Sequence, residues 1–275
     1  MPEGPEMYRI ARKISDTLGD DALTEVWFAF EHLQGWSELL VGQPLANAET
    51  LGKALLLRFA DDTVIYTHNQ LYGRWMFADA GRRPDTNRQL RLALSSPTRS
   101  ALLYSASDIE VIAAGQLNEH PFVARAGLDI LSSGASVEQT AAWTGQKRFA
   151  RRQLGHLLLD QAFLAGVGNY LRSEILFRAG LHWTRRPADL GPRALDRLAH
   201  SAHVLMWRSV ETGGMTNAPE VAKRLKQAGW AWRDYRHYVF GRDGQVCLRC
   251  DTPIERVAVS GRRLYWCPRC QRDPR

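Results

Sequence analysis

The 275-residue chain is 45% hydrophobic and 24% charged, the balance of a soluble globular protein with two domains, or one domain and a small module. No apolar run approaches the ~20 residues that a bilayer span requires, which excludes a membrane-spanning helix. Residues 1–215 hold 23 basic and 23 acidic residues and residues 216–275 hold 13 and 6, so the whole net charge of +7 lies in the last sixty. Such a patch suits a polyanion, whose phosphates release counterions when neutralised; the alternative is a solvated basic tail.

In chain order, Met7, Ile10, Ala11, Ile14 and Leu18 form one apolar stripe at helical spacing, closed by Gly19. From residue 23 to about 112 the pattern changes to short strands, at 23–30, 54–59, 63–68, 73–77, 89–94 and 100–105. Strands this short, with turn residues between them, predict a sandwich or barrel. Residues 113–135 are a transition. Helical periodicity then predicts helices over 136–143, 147–159, 170–179 and 192–210, and Thr212-Gly213-Gly214 ends that block. Residues 216–240 are basic and aromatic and give no assignment.

All four cysteines fall in one segment, as C-x2-C, sixteen residues, C-x2-C: Cys247, Cys250, Cys267 and Cys270. Two such knuckles deliver four thiolates to a tetrahedral zinc. Two disulfides in a secreted chain would use the same residues, but no signal peptide opens the chain and no other cysteine occurs. The expectation is therefore a cytoplasmic protein with a structural zinc ribbon folded as a β-hairpin. Its four sulfurs leave no open position for chemistry on the metal.

The N-terminus reads Met1-Pro2-Glu3-Gly4-Pro5-Glu6. A small second residue lets an initiator methionine be removed, leaving Pro2 with a secondary amine. An α-amino group has a reference pKa of about 7.7–8.0, so a useful fraction is neutral at pH 7 and nucleophilic. Attack on a sugar aldehyde carbon would give an iminium ion, which acidifies the neighbouring C–H and permits elimination of an attached phosphate. Glu3 could act as the acid, and Glu6, one helical step on, could hold or tune the arrangement.

Pro2-Glu3-Gly4-Pro5-Glu6, Gly52-Lys53, His68-Asn69-Gln70-Leu71-Tyr72-Gly73, Gly166-Val167-Gly168-Asn169-Tyr170 and the cysteine ribbon occur in this order. Together they closely resemble the formamidopyrimidine-DNA glycosylase/endonuclease VIII family over nearly the full chain. Gly4 and the Gln70-Leu71-Tyr72 triplet resemble its endonuclease VIII branch. The resemblance implies an α+β multidomain fold. Residues 1–125 would be a catalytic β-sandwich carrying the N-terminal helix, 126–215 a helix–two-turn–helix domain, and 216–275 a basic segment with the zinc finger. It further implies a bacterial DNA glycosylase and AP lyase, associated with the nucleoid through its DNA, that removes oxidised pyrimidines. The same chemistry on oxidised purines, or a non-catalytic damaged-DNA-binding protein, are the alternatives.

Residue by residue, Pro2 resembles the Schiff-base nucleophile, Glu3 the general acid, and Lys53 the lysine of proton donation and phosphate contact. Gln70, Leu71 and Tyr72 resemble a wedge that fills the stack when a base is extruded. Asn169 and Arg125 match DNA-contact positions, and Gly166 and Gly168 let backbone approach a phosphate. Arg262 matches the arginine of phosphate binding and δ-elimination, although the adjacent Arg263 blurs that match. The expected partner is double-stranded DNA with oxidised bases or abasic sites, with one Zn2+ as cofactor and a monomer as the default. Residues 213–240, with Trp230 and Trp232, depart from the family pattern, and residues 271–275 read as a disordered tail.

Overall fold

The computed structural model describes residues 2–131 and 135–272. Met1, residues 132–134 of the transition segment and 273–275 of the tail lie outside the described residues. The chain forms two compact units, residues 1–125 and 126–275.

In the first unit, helix α1 (Gly4–Leu18) follows Pro2 and Glu3. Met7, Ala11, Ile14 and Leu18 bury the stripe seen in the sequence, and Gly19, at φ +61°, stops the helix by donating its N–H to Ser15 O. Next come β1 (Glu25–Phe28), the short α2 (Gly35–Leu40), β2 (Leu45–Leu51), β3 (Ala54–Phe59), β4 (Val64–His68), β5 (Arg74–Asp79), β6 (Leu90–Ser95), β7 (Arg99–Tyr104), β8 (Asp108–Ile112) and α3 (Pro121–Arg125). They make two four-stranded antiparallel sheets, ordered β1-β6-β7-β5 and β2-β3-β4-β8. Leu55, Leu57, Phe59 and Ile65 of one sheet share a core with Leu92, Leu94, Leu103 and α1. The opposite face of that sheet, with Leu56, Val64 and Tyr66, is itself covered by Leu117 and Phe122. Burial on both faces explains why β3 reads as a continuous apolar run.

The second unit opens with β9 (Leu128–Asp129), which pairs in parallel with β10 (Leu164–Ala165). Between them lie α4 (Val137–Thr144) and α5 (Leu154–Leu157). Ser136 starts α4 with a capping box, accepting the N–H of Gln139. Then follow α6 (Asn169–Ala179), α7 (Pro192–Thr212), α8 (Pro219–Gln227), α9 (Trp232–Tyr235) and the hairpin β11 (Glu255–Val259)–β12 (Arg262–Trp266). Helix α6 packs on both α7 and β12, so the helices and the cysteine hairpin share one unit.

The helix expected over 147–159 is corrected to the four residues of α5, preceded by turns. Gln153 is extended (φ −65°, ψ 139°), and the N–H groups of Leu154 and Gly155 bond to Arg185 O and Trp183 O at 2.8 Å each. Hydrogen bonds to a distant segment have displaced the local helical ones that the periodicity suggested. Gly155 makes this approach close: a Cβ there would stand 3.2 Å from Trp183 O, so the neighbour would have to give by a few tenths of an ångström. In the segment left unassigned, 216–240, the structure places α8 and α9.

Helix α6 is unusual in burying Arg172, Ser173 and Glu174 completely. The Glu174 carboxylate accepts backbone N–H groups from Tyr238, Val239 and Phe240 at 2.8–2.9 Å and the Thr216 hydroxyl at 2.6 Å. With its only proton on Glu174, Thr216 Oγ1 receives Nδ1–H of His237 at 2.9 Å, and His237 stacks on Tyr170. Glu174→Ala removes the acceptor of three backbone N–H groups and of the Thr216 hydroxyl, and is expected to cost about 3 kcal/mol in chemical denaturation.

Burial, reinforced by the charge of Arg236, holds the His237 imidazole down to about 3. The unfolded chain therefore takes up a proton below pH ~6.5 that the folded unit refuses. Stability should fall as pH drops from about 6.5 towards 3, and His237→Gln should flatten that slope in urea titrations.

Candidate active site and nucleic-acid interface

In the first unit, only two charged side chains among the described residues are fully buried: Glu3, 4% exposed, and Lys53, 6% exposed. A buried acid and a buried base are costly unless partnered, so the two are candidates for a functional site. Glu3 is the N-cap of α1 in a reciprocal capping box, with its own N–H donated to Glu6 Oε2 at 2.9 Å. Glu6 therefore fixes the Glu3 backbone, and Pro2 is the residue immediately before it. Lys53 lies in the two-residue loop of the β2–β3 hairpin, where Leu51 pairs with Ala54. Gly52, at φ +62°, takes the left-handed conformation that the first loop position of a type II′ turn demands. Helix α1 packs along β2, the strand leading into this turn.

His68 ends β4 opposite Ala54, with Nδ1 3.8 Å from Asp108 Oδ2. Burial lowers its pKa; Asp108 opposes the shift and the Lys53 ammonium adds to it. The β4–β5 loop begins here. Leu71 and Tyr72 are 61% and 70% exposed, which is unusual for large apolar side chains. They are held from below by Gly73 N–H donating to Asn69 O at 2.8 Å, and Gly73 is obligatory because a Cβ would stand 2.6 Å from that oxygen. Arg88 donates to Tyr72 O at 2.6 Å, and Ser107 donates its hydroxyl to Gln70 Oε1 at 3.0 Å. Gln70 has φ +49°. The sequence pointed to the triplet but not to Arg88 and Ser107, which come from distant loops. Arg125 is exposed at the end of α3, its Nε donating to Pro121 O at 2.8 Å.

In the second unit, the Gly166–Gly168 loop is clamped by one amide. Gln161 Nε2 donates to Val167 O at 2.9 Å and its Oε1 accepts Gly166 N–H at 3.1 Å. Gly166 has φ +88°, and Gly168 caps α6 so that Asn169 is its first residue. Asn169 Oδ1 accepts Arg172 Nη2 at 2.7 Å. The same guanidinium donates to Gly155 O at 2.9 Å, Val259 O at 3.2 Å, Arg263 O at 3.3 Å and Arg262 O at 3.5 Å. One buried arginine thus brings Asn169 and the hairpin tip together. At that tip Val259 pairs with Arg262, and Ser260 and Gly261 (φ +54° and +67°) make the two-residue loop of a type I′ turn. Arg262 and Arg263 are both exposed, with Arg262 immediately after the turn. His156 of α5 adds a contact to Ser260 Oγ at 2.6 Å.

The four cysteines are free thiols whose sulfurs all lie within 4.8 Å of one another. Zn–S bonds of about 2.3 Å in a tetrahedron place sulfurs ~3.8 Å apart. The Cys247–Cys270, Cys250–Cys270 and Cys250–Cys267 separations are 3.9, 3.5 and 3.4 Å. Arg249 N–H and Cys270 N–H point at Cys247 Sγ and Cys267 Sγ at 3.4 Å each, the backbone support that knuckle thiolates take. The residues fit one structural zinc. Gln271, read as the start of a disordered tail, is instead fully buried: its Oε1 accepts Cys267 N–H at 3.0 Å and its Nε2 donates to Leu181 O at 2.9 Å.

Comparison with known proteins agrees with this architecture. Residues 1–106 match the family model of the formamidopyrimidine-DNA glycosylase N-terminal domain. Residues 127–220 match the formamidopyrimidine-DNA glycosylase H2TH domain, and 244–272 match the zinc finger found in FPG and IleRS. The chain belongs to the formamidopyrimidine-DNA glycosylase family and is a DNA glycosylase and AP lyase of base excision repair.

Among its relatives, endonuclease 8 of Klebsiella pneumoniae (strain 342) is 44% identical over 271 residues, covering 98% of this chain and 100% of the relative. Endonuclease 8 of Escherichia coli (strain K12 / DH10B) is 43% identical over the same span. The fold is shared with Lactococcus lactis formamidopyrimidine-DNA glycosylase bound to DNA containing an AP site. That likeness has a TM-score of 0.78 at 18% identity, with 98% of this chain and 100% of that one covered. No helix among the described residues is long and apolar enough to cross a membrane.

Proposed function

We propose that this enzyme excises oxidised pyrimidines from duplex DNA and then cleaves the strand by β,δ-elimination through a Schiff base on Pro2. The carrying observation is the burial of Glu3 and Lys53, one acid and one base, with Pro2 next to Glu3 at the head of α1. With Met1 removed, the neutral Pro2 amine attacks C1′ while Glu3 donates a proton that lets the damaged base leave. The aminal so formed gives up its N–H proton and opens its C1′–O4′ bond, O4′ taking a proton from Glu3, and the resulting C1′–N iminium acidifies the C2′ proton. Loss of that proton expels the 3′ phosphate, a step in which Lys53 donates a proton and contacts the phosphate. Arg262 holds the remaining phosphate for the second elimination, which leaves a one-nucleotide gap with phosphate ends. Asn169 and the Gly166–Gly168 backbone grip phosphates of the duplex, as does Arg125. Zinc is structural: held by Cys247, Cys250, Cys267 and Cys270, it keeps the Arg262 hairpin folded.

Gln70, Leu71 and Tyr72 enter the stack as the damaged base leaves it. Extrusion costs a few kcal/mol, which exposed apolar side chains on a braced loop can offset. Arg88→Ala releases the Tyr72 carbonyl. It is expected to slow excision from duplex DNA about fivefold, the worth of ~1 kcal/mol. Cleavage at a preformed abasic site, with no base to extrude, should change less, and equal losses on both substrates would count against the wedge.

Similarity to endonuclease 8 proteins over the full chain supports the pyrimidine assignment. Single-turnover excision from matched duplexes with thymine glycol or 8-oxoguanine tests it. Faster release of thymine glycol is expected. Faster release of 8-oxoguanine would move the enzyme to oxidised purines while leaving the chemistry intact.

A further inference from the structure

The α8–α9 segment, residues 219–235, holds four basic and two acidic residues and has no part in the steps above. Helix α8 is built on its own small core: Ala222 and Leu225 are buried with Met215 and Tyr235, and Val221, Trp230 and Leu248 pack against them. The segment is anchored at its entry, where Asn217 Nδ2 donates to Tyr235 O at 2.6 Å and His237 O at 3.1 Å. This fixed base leaves the outer half of α8 facing solvent, and that half carries Lys223, Arg224 and Lys226, all exposed. Its one acidic residue is Glu220, in the first turn. Beyond the turn, Trp232 stands 42% exposed, edge-on to Tyr235 at 5.4 Å.

Some surface arginines, Arg58, Arg83 and Arg99 among them, pair with a carboxylate within 3.5 Å. Among the described residues, Lys223, Arg224 and Lys226 have no ion-pair partner within 4.0 Å. Three exposed cations on one helix, followed in the chain by the exposed indole of Trp232, complement a polyanion presented by an external partner. The bland alternative is that Arg224 and Lys226 serve only the C-terminal end of the helix dipole.

We infer that the outer face of α8 is an additional DNA-binding surface, on which Lys223, Arg224 and Lys226 neutralise strand phosphates. This rests on the glycosylase reading above and deepens it. The surface adds non-specific, salt-sensitive affinity to the grip of Asn169, Arg125 and Arg262, and it reads no bases.

The test is fluorescence anisotropy with a duplex carrying a tetrahydrofuran abasic analogue, between about 50 and 200 mM salt. Each phosphate contact contributes about 0.9 to the slope of log Kd against log salt, so Lys223→Gln/Arg224→Gln/Lys226→Gln should lower it by up to about 2.7. At the lowest salt its Kd should rise at least about tenfold. Lys223→Glu/Lys226→Glu should weaken binding further. Zinc content and the thermal transition of each variant report its folding. An unchanged slope in folded variants overturns the inference, and an unchanged slope with a lowered Tm assigns the cations to the helix dipole alone. The unsubstituted protein is the reference: if it neither binds this duplex nor forms a borohydride adduct with abasic DNA, the glycosylase reading itself fails.

Discussion

Protein that keeps one extra residue ahead of Pro2 is expected to lose base excision and strand cleavage together, by about 10³-fold or more. Acylating the Pro2 nitrogen turns a nucleophilic amine into a tertiary amide whose lone pair is delocalised, so the covalent route closes outright. Removal of a covalent nucleophile in other enzymes has effects of this size or larger. Binding to abasic duplex should persist, because the proposed phosphate contacts, at Asn169, Arg125 and Arg262, are elsewhere. Glu3→Gln provides the contrast. The amide keeps the size of the side chain but cannot donate a carboxylic proton. Excision should fall by about 10²–10⁴, the usual worth of a general acid. Abasic DNA has no base left to release, so its cleavage should survive better. Equal losses on both substrates would remove Glu3 from base departure.

The second large effect is expected from Cys250→Ser, which breaks a four-sulfur site. Zinc binding to small modules of this kind supplies ~10–16 kcal/mol, which is largely folding energy. Without the metal, burial raises the thiol pKa values of Cys247 and Cys270, and the neighbouring sulfurs reinforce that rise. The knuckles then keep local hydrogen bonds, such as Cys247 N–H to Thr252 O and Gln271 N–H to Cys267 O at 2.9 Å each. Cys247 and Cys267 share a buried cluster with Phe177 of α6, Tyr238 and Tyr265, so the loss spreads to the hairpin that presents Arg262. DNA binding should vanish at concentrations that saturate the unsubstituted protein. The first unit, with its own sandwich core, should keep its thermal transition. Wild-type affinity in a zinc-free protein would refute the structural role.

What could be read from the sequence was what local periodicity and spacing encode. The stripe from Met7 to Leu18 became α1 with the expected face buried, because 3.6-residue spacing alone decides which side meets the sandwich. The cysteine spacing located the metal site because the ligand set is local in pairs. Residues 147–159 misled because the N–H groups of Leu154 and Gly155 bond to residues 183–185, far away in sequence. Arg172 and Glu174 look like ordinary surface charges in sequence. Their burial is set by backbone carbonyls and N–H groups of segments some twenty to ninety residues away. Gln271 was hidden in the same way, its partner Leu181 lying far upstream. The braces of the Gln70–Tyr72 loop, Arg88 and Ser107, show no spacing rule at all. The basic stretch 216–240 hid two helices because α8 and α9 are only nine and four residues long, and Ala222, Leu225 and Tyr235 are all they bury.

The central claim is covalent attachment of DNA to Pro2, and the most direct test is to locate the bond. Purified protein lacking Met1 is incubated with a duplex containing one thymine glycol, borohydride is added, and the adduct is digested and mapped by mass spectrometry. The expected result is a single reduced DNA remnant on the N-terminal peptide, at the Pro2 nitrogen. An adduct mapped to Lys53 or another lysine, or efficient strand cleavage with no trapped adduct, would contradict the account.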